Sequence, residues 1–349
     1  MDQIQRILTD SINDGIIYGG AVLAGKHDKV FLDLGIGYTS SNGKYNMDTN
    51  TVLDVASTTK VAAVITALLI CHNRGMIDFD APFTEYLPDF TAAADLYETI
   101  SVRDLANHVS GFGDVRGESQ RLYFDESGQK MLTNLLVTPP PHPPTRHAMY
   151  SCWNYLLLSL ILEKITGEKL PDFCRREIFE PLAMNSTSLG KPLPEIPLER
   201  LGKTMGTSCP GEISDFVAMR IYRDGGSAGN AGLFTSAKDF SKLLQCYLHG
   251  GSTPEGKVLF SEKEMREISP DRKIHFHGYR KFGWAIYEEF LAEEMFGSVL
   301  FHSGWSGQTI LFDLSRNLYA IILTTRCGDY TRAKKERYDI LHKIWKNEA

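Results

Sequence analysis

Apolar and polar residues follow three different patterns along this 349-residue chain. Residues 2–14 carry apolar positions at helical spacing and predict an amphipathic helix. Two short apolar runs, 21–24 and 30–34, then predict an antiparallel hairpin around a polar turn. Residues 57–74 are nearly all apolar, which is typical of a helix buried on every side, and Gly75 follows where that helix should end.

Helical spacing continues through the middle of the chain, and strands return in its last third. The helices predicted in the middle cover residues 102–107, 132–136, 152–166 and 170–179, and the prolines of 139–144 predict a stiff loop before Tyr150. Beyond Gly225 the predicted elements are a helix over 237–248, strands over 282–287, 298–302, 309–313 and 319–325, and a last helix over 332–345. Terminal strands so distant in sequence must meet in one sheet to share a core, which makes the helical middle an insertion.

Composition narrows the class of protein. The chain is 43% hydrophobic and 23% charged, as folded globular proteins are, and its net charge of -6 argues against a nucleic-acid partner. We expect no membrane span, because the longest apolar stretch is too short, and a cytoplasmic location, because the first residues lack a secretory signal. Export stays open if a leading segment has been removed. The six cysteines are scattered without a Cys-x-x-Cys pair, so free thiols are expected.

A serine and a lysine three residues apart on one helical turn can act together, because a neutral hydroxyl needs a base nearby to become a nucleophile. The Ser-x-x-Lys pattern occurs four times, beginning at Ser41, Ser57, Ser127 and Ser188. Three of the four contain a glycine, which we interpret as a turn, whereas Ser57–Lys60 runs straight into the long apolar helix. There the helix end would favour an oxyanion, and burial would lower the pKa of the lysine. The alternative is that Ser57 is only a helix N-cap.

A second serine competes for the role of nucleophile. Residues 225–229 match Gly-x-Ser-x-Gly, the nucleophile elbow of α/β-hydrolases, with Ser227 at its centre. That elbow needs an apolar strand before it and a helix straight after it. Charged residues precede Ser227 and another glycine follows, so we interpret the segment as a glycine-rich loop and keep the elbow as an alternative.

From Ser57–Lys60 onward the chain resembles the superfamily of serine β-lactamases and penicillin-binding proteins, which includes class C β-lactamase-related esterases and DD-peptidases. Matching segments follow one another in the family's order between residues 20 and 326. They are 100–112, similar to ITVRDLLTHTSGL; 150–152, at the family's Tyr-x-Asn; 178–184, similar to IFEPLGM; 229–237, similar to GHAGLFSTA; and 302–307, similar to the HTGFTG variant of its Lys-Thr-Gly strand.

The resemblance implies an α/β (α+β) fold class, in which an antiparallel sheet flanked by helices carries an inserted all-helical domain. We expect the α/β domain in residues 1–60 and 225–349 and the helical domain in residues 61–224. The active site is expected between the two domains.

The resemblance also assigns roles to individual residues. It implies acylation of Ser57, proton transfer by Lys60 and Tyr150, and an oxyanion hole formed by the backbone N–H groups of Ser57 and Trp305. A tyrosine acts as a base only where cations stabilise its phenolate. Lys60 is the obvious cation, and His302 is a weaker one because histidine is largely neutral near pH 7.

Two departures from the family pattern bear on the substrate. Cys152 stands where an asparagine holds an acyl-amide substrate, and a thiol is a poor donor and a poor acceptor. His302 stands where a lysine helps to hold a substrate carboxylate, and it lacks the lysine's permanent charge. Ser303 and Gly304 complete the expected substrate-binding strand. Both departures favour small ester or amide substrates over β-lactams.

We therefore predict an esterase-like serine hydrolase that needs no cofactor and acts on a small-molecule ester, amide or peptide, in an unspecified oligomeric state. The alternatives are a β-lactamase or D-Ala-D-Ala carboxypeptidase, and a catalytically silent ligand-binding homologue. A Cys152 nucleophile with His147 is disfavoured, because no cysteine–histidine signature surrounds it. No metal site is expected, because the histidines at 142, 147, 275 and 277 lack further ligands at suitable spacing.

Overall fold

Strands from both ends of the chain lie side by side in one sheet. The structure, a computed structural model, describes residues 2–91, 99–113, 127–144, 148–269 and 280–347. Its strands are β1 (Ile17–Lys26), β2 (Lys29–Gly37), β3 (Leu53–Asp54), β4 (Ser188–Leu189), β5 (Leu233–Thr235), β6 (Arg280–Lys281), β7 (Trp284–Ala285), β8 (Val299–Gly304), β9 (Gln308–Asp313) and β10 (Leu318–Arg326). Within the described residues, seven of them form an antiparallel sheet in the order β2-β1-β10-β9-β8-β7-β6, and the other three form a small sheet in the order β3-β5-β4.

The large sheet is built around the pairing of β1 with β10. Gly20 lies opposite Thr324 and Lys26 lies opposite Leu318, so residues some three hundred positions apart share one ladder. Every residue of β10 is buried, which is why the run from Leu318 to Leu323 is apolar throughout instead of alternating. The predicted meeting of N-terminal and C-terminal strands in one antiparallel sheet is confirmed, and so is the mixed fold class.

The chain also forms helices, some on the two faces of this sheet and others packed on one another. They are α1 (Asp2–Asn13), α2 (Thr66–Asn73), α3 (Phe83–Tyr86), α4 (Val102–Ala106), α5 (Gly128–Val137), α6 (Cys152–Thr166), α7 (Leu170–Cys174), α8 (Phe216–Arg223), α9 (Ala237–Leu248), α10 (Glu262–Ile268) and α11 (Tyr330–Asn347). Successive residues of a strand point to opposite faces. Val22 of β1 accordingly packs in one apolar cluster with α1 and α11, while its neighbour Leu23 packs in the other with α2 and α9.

Three local predictions differ from the structure. The predicted helix over 57–74 begins as a 3-10 turn (Ala56–Thr58) and a π-helical turn (Lys60–Ile65) before it becomes α2. The interpretation of Ser127 as part of a turn was wrong: Ser127 caps α5, and its hydroxyl accepts a hydrogen bond from the Lys130 N–H. The strand predicted over 282–287 shrinks to β7, because Phe282 has a φ of 43°.

Among the described helices, none combines the length and the apolar character that a membrane crossing requires.

Candidate active site

The turn that carries Ser57 is a strained one. β3 ends at Asp54, and the Val55 N–H donates to the Leu233 carbonyl at 2.9 Å. Ala56 then adopts a φ of 46°, in the left-handed region that a residue with a Cβ rarely occupies. The Asp54 carboxylate holds this conformation by accepting the Ala56 N–H at 3.3 Å. Ser57 follows directly, so the turn presents it at the start of the helix.

Two threonine hydroxyls fasten the first helical turn. Thr58 Oγ1 donates to the Val55 carbonyl at 2.8 Å, and Thr59 Oγ1 donates to the Ala56 carbonyl at 2.6 Å. Val55 occupies the N-cap, and Ser57 lies inside the turn, so the alternative that Ser57 is only a helix cap is wrong. Backbone N–H groups in a first turn have no partner within the helix, which leaves the Ser57 N–H unused by the helix itself.

Lys60 lies fully buried beside Ser57. Its Nζ donates to Ser57 Oγ at 3.1 Å and to the Asn230 carbonyl at 2.8 Å, and it lies 3.6 Å from Cys152 Sγ. An ammonium group has three protons to give, and Ser57 Oγ and the Asn230 carbonyl each accept one of them. Burial lowers the pKa of Lys60, whereas Cys152, Tyr150 and Asp215 raise it. Their combined effect exceeds that of burial, so the pKa lies above its ordinary value. The expectation that burial would lower this pKa was wrong, because it did not include those neighbours.

Tyr150 faces the same ammonium group from the loop before α6. Lys60 Nζ is 5.0 Å from the centre of the Tyr150 ring, and the guanidinium carbon of Arg280 is 5.1 Å from it. The structure therefore brings Ser57, Lys60 and Tyr150 together at one site. Arg280 is a second cation there, and no motif in the sequence pointed to it.

A buried histidine holds the Tyr150 segment in place. His108 Nδ1 accepts the Ser151 N–H at 3.1 Å, its carbonyl accepts the Met149 N–H at 2.7 Å, and its ring lies 4.6 Å from that of Tyr150. Burial, with Arg280 and Lys60 nearby, holds the pKa of His108 well below its usual range. His108 is therefore neutral, and its acceptor nitrogen is fixed by the backbone. The sequence marked it only as part of a motif.

β8 forms the opposite side of the site. Since the Ser303 carbonyl can only accept, His302 Nδ1 donates to it at 3.1 Å, which leaves Nε2 as a bare acceptor. Within the described residues, Nε2 has no hydrogen-bond partner. Burial, Arg280 and Lys60 hold the pKa of His302 well below its usual range, so it carries no charge at neutral pH. The Ser303 hydroxyl contacts the hydroxyls of Tyr338 at 3.0 Å and Thr309 at 3.2 Å.

The turn after β8 presents the backbone of Trp305. Arg326 Nε donates to the Trp305 carbonyl at 3.0 Å, which fixes the turn. In the described part of the chain, the Trp305 N–H meets no acceptor. It remains available to a ligand, as does the Ser57 N–H. Cys152 lies at the first turn of α6, and burial raises the pKa of its thiol, which keeps the sulfur protonated and unreactive.

A cavity of about 250 Å³ lies between these two sides. Its lining combines the catalytic candidates with aromatic and charged side chains: Ser57, Tyr150, Arg280, Ala285, Tyr287, Glu288, Phe301, His302, Ser303, Trp305, Tyr330, Lys334 and Tyr338. Lys334 is paired with Glu288 at 2.8 Å. Arg280 donates to the Gly283 carbonyl at 3.0 Å and, among the described residues, meets no carboxylate.

The competing sites lack this organisation. Ser227 is buried, and its hydroxyl donates to Glu163 Oε1 at 2.5 Å. It follows helix α8 and a turn instead of a strand, which is not the context of a nucleophile elbow. Among the described residues, no three histidine, cysteine, aspartate or glutamate side chains are grouped as metal ligands. His147, His275 and His277 lie outside the described residues.

The fold and this arrangement are those of a serine hydrolase, with a buried lysine in contact with the serine. A family model described as "Beta-lactamase" matches residues 4–343, and the chain belongs to that family. An N-acetylmuramyl-L-alanine amidase of Bacillus subtilis (strain 168) is 29% identical over 307 residues, which cover 80% of this chain and 69% of the relative.

Solved structures repeat the fold. A penicillin-binding protein homologue from Caulobacter crescentus superposes with a TM-score of 0.76 at 16% identity, covering 98% of this chain and 97% of its own. EstCE1, a hydrolase with promiscuous acyltransferase activity, gives a TM-score of 0.74 at 18% identity, covering 97% and 98%. At such identities these matches establish the fold and leave the substrate open.

Proposed function

We propose that this serine hydrolase cleaves a small ester or amide through an acyl-enzyme at Ser57. The observation that carries the proposal is the contact of 3.1 Å between Lys60 Nζ and Ser57 Oγ, at the edge of a cavity that Tyr150 also lines. In acylation, Ser57 Oγ bonds to the carbonyl carbon, and the leaving alcohol or amine departs with a proton. Water then attacks the acyl group and releases a carboxylic acid.

Lys60 and Tyr150 act as a pair in the proton transfers. As Ser57 Oγ attacks the carbonyl carbon, this pair takes up the proton of the Ser57 hydroxyl. The pair then passes that proton to the leaving group. The N–H groups of Ser57 and Trp305 stabilise the oxyanion of the tetrahedral intermediate, at about 3 kcal/mol per donor.

The cavity favours a small and largely neutral acyl group. The part of it that the described residues enclose measures about 250 Å³, which suits a compact ligand. Cys152 offers no amide group to an acyl-amide substrate, and His302 is neutral. We further propose that the cavity separates an α/β domain of residues 1–60 and 225–349 from a helical domain of 61–224. We also propose a reducing, cytoplasmic compartment, since all six cysteines are free.

The test uses p-nitrophenyl acetate and butyrate, with the β-lactam nitrocefin in parallel. Wild-type protein should turn over the esters, and Ser57→Ala should lose the activity, while Ser227→Ala should stay within about threefold because its hydroxyl bonds Glu163 away from the cavity. Mass spectrometry should find the acyl group on Ser57. Ester turnover that survives in Ser57→Ala would overturn the proposal, and rapid nitrocefin opening would favour a β-lactamase.

Arg280 favours a second candidate, a peptidase for substrates that end in a carboxylate, such as D-Ala-D-Ala. It supplies the permanent charge that His302 lacks, and it has no carboxylate partner among the described residues. Arg280→Gln should then lower kcat/KM for a D-Ala-D-Ala peptide about tenfold and leave p-nitrophenyl acetate unaffected. Lys281→Gln, one residue along β6, is the control. Equal effects on both substrates would eliminate this candidate.

A further inference from the structure

Asp54 is a buried carboxylate three residues before the nucleophile. It is 1% exposed and, in the part of the chain that the structure describes, has no cationic partner. Its oxygens instead accept the Ala56 N–H, the Ser214 N–H at 2.9 Å and the Ser214 hydroxyl. Burying a carboxylate without a cation is costly, so a residue kept in this state needs an explanation beyond packing.

The first of these contacts shapes the peptide that contains the Ser57 N–H. That N–H belongs to the peptide unit between Ala56 and Ser57, and its direction follows from the backbone angles of Ala56. Ala56 holds a φ of 46°, which costs free energy unless its surroundings fix it. An aspartate that accepts the N–H two residues ahead is a local turn that supplies such a constraint.

The same segment supports the peptide that contains the Trp305 N–H. That N–H belongs to the peptide unit between Gly304 and Trp305. A Cβ added to Gly304 would lie 2.7 Å from the Val55 carbonyl oxygen and 3.3 Å from Ala56 Cβ, so β8 rests directly on this turn. Any shift of Val55 and Ala56 therefore moves both peptide units relative to each other.

Ser214 extends the support by packing. Its hydroxyl proton goes to Asp54, and the Ser306 hydroxyl proton goes to Gln308 Oε1 at 2.9 Å. Ser214 Oγ and Ser306 Oγ lie 3.5 Å apart. Because each hydroxyl donates its proton to another acceptor, we interpret this as a packing contact and not as a hydrogen bond. Asp54 thus connects, through Ser214, to the turn on which Trp305 lies.

We propose that Asp54 is a positioning residue that sets the distance and direction of the two oxyanion-hole N–H groups, those of Ser57 and Trp305. The inference rests on the proposed function, because it assumes that these groups bind an oxyanion at all. It predicts an effect on the tetrahedral intermediate and little effect on the bound substrate. A purely structural role for Asp54 would instead lower stability without that selectivity.

The experiment compares Asp54→Ala, Asp54→Asn and Ser214→Ala with wild type and with Asp313→Ala. Asp313 is an equally buried carboxylate that bonds Ser315 and Trp345 at the far end of β9. The readouts are kcat and KM for p-nitrophenyl acetate and the inhibition constant of a phenylboronic acid, which forms a tetrahedral adduct with a nucleophilic serine. Circular dichroism checks that each variant is folded.

In Asp54→Ala, kcat should fall about 100-fold and boronate affinity should fall in proportion, with KM within threefold. Asp54→Asn keeps one acceptor oxygen and should lie between the alanine variant and wild type. Ser214→Ala should lower kcat by less than tenfold, and it decides the question if the Asp54 variants do not fold. Asp313→Ala should keep kcat within twofold.

A folded Asp54→Ala whose kcat is unchanged, or whose kcat falls while boronate affinity is retained, would overturn the inference. If the Asp54 variants do not fold, a Ser214→Ala variant with unchanged kcat and boronate affinity would overturn it. The fate of the proposed function is read separately, from acylation of Ser57 in wild-type protein. Labelled Ser57 with unaffected Asp54 variants refutes only the role of Asp54, whereas unlabelled Ser57 in active protein refutes both.

Discussion

The two sides of the cavity use their polar groups in different ways. On the helical wall, which consists of Ser57, Lys60, Tyr150 and Cys152, the polar groups converge on one buried ammonium group. On the sheet wall, which consists of Arg280, His302, Ser303 and Trp305, several groups keep unused hydrogen-bonding capacity. The His302 Nε2 and the Trp305 N–H have no partner in the described residues, and Arg280 faces no carboxylate there.

This contrast separates chemistry from recognition. Groups that exchange protons must touch one another, and the helical wall provides that through short contacts around Lys60. Groups that bind a substrate need hydrogen-bonding capacity that the protein itself does not use. The sheet wall provides this capacity as polar atoms without a partner in the described residues. Substitutions on the helical wall should therefore change kcat. Side-chain substitutions on the sheet wall, which keep the proposed oxyanion-hole N–H of Trp305, should change KM and substrate choice.

The largest effect should come from removing the Tyr150 hydroxyl. Tyr150→Phe should lower kcat by a factor of about 10² to 10⁴, the range for loss of a general acid or base, with KM little changed. Tyr155→Phe is a matched control, because Tyr155 also lies near Lys60, at 5.7 Å, but spends its hydroxyl on the Ala106 carbonyl. Steady-state kinetics on p-nitrophenyl butyrate compare the two variants.

Tyr155→Phe should cost about 1 kcal/mol of stability through its lost hydrogen bond and leave kcat within threefold. A Tyr150→Phe enzyme as active as Tyr155→Phe would remove Tyr150 from the chemistry. The helical wall would then consist of Ser57 and Lys60 alone.

A smaller effect concerns stability in acid, which depends on two buried histidines, His302 of the sheet wall and His108 beside Tyr150. The pKa values of His108 and His302 are both lowered, so below about pH 6.5 the unfolded chain takes up protons that the folded chain refuses. As the pH decreases below that value, the free energy of unfolding should decrease by about 1.4 kcal/mol per pH unit for each histidine. Asp54, whose pKa in the folded protein is raised to about 6, has the opposite effect on stability. Between that pKa and the lower pKa of the unfolded chain, the folded form binds the proton first, so stability increases as the pH falls.

Urea unfolding at pH 8, 7, 6 and 5.5 measures this dependence. His302→Gln should flatten the decline by one histidine's share. Parallel curves for wild type and His302→Gln would show that His302 is protonated in the folded protein. The sheet wall would then carry a second cation beside Arg280.

The sequence predicts best those elements in which apolar residues recur over a long stretch. α6, α9 and β10 each appear within three residues of the predicted bounds, because a sustained apolar period leaves few alternatives. The start of the Ser57 helix could not be predicted in its 3-10 and π-helical form. That form depends on Asp54, Leu233 and Gly304, which reach the turn from three separate strands.

The site divides in the same way. Ser57 and Lys60 are three residues apart and carry their own signal, and Tyr150 follows from the resemblance to the family. Asp54, His108 and Arg280 could not be assigned, because their roles exist only in contacts with residues distant in sequence. The one local hint was Asp54 itself, an acidic residue between the apolar Leu53 and Val55.

The smallest effect should come from Cys152, the helical-wall residue whose sulfur lies 3.6 Å from Lys60 Nζ. Cys152→Asn restores an amide group at this position, and it should raise kcat/KM for a small anilide about threefold relative to p-nitrophenyl acetate. Cys152→Ala removes the thiol without adding a donor and should leave that ratio unchanged. The two variants together separate the effect of the new amide from the loss of the sulfur contact with Lys60. A ratio that moves equally in both would mean that Cys152 acts through Lys60, and the helical wall would then hold no recognition group at all.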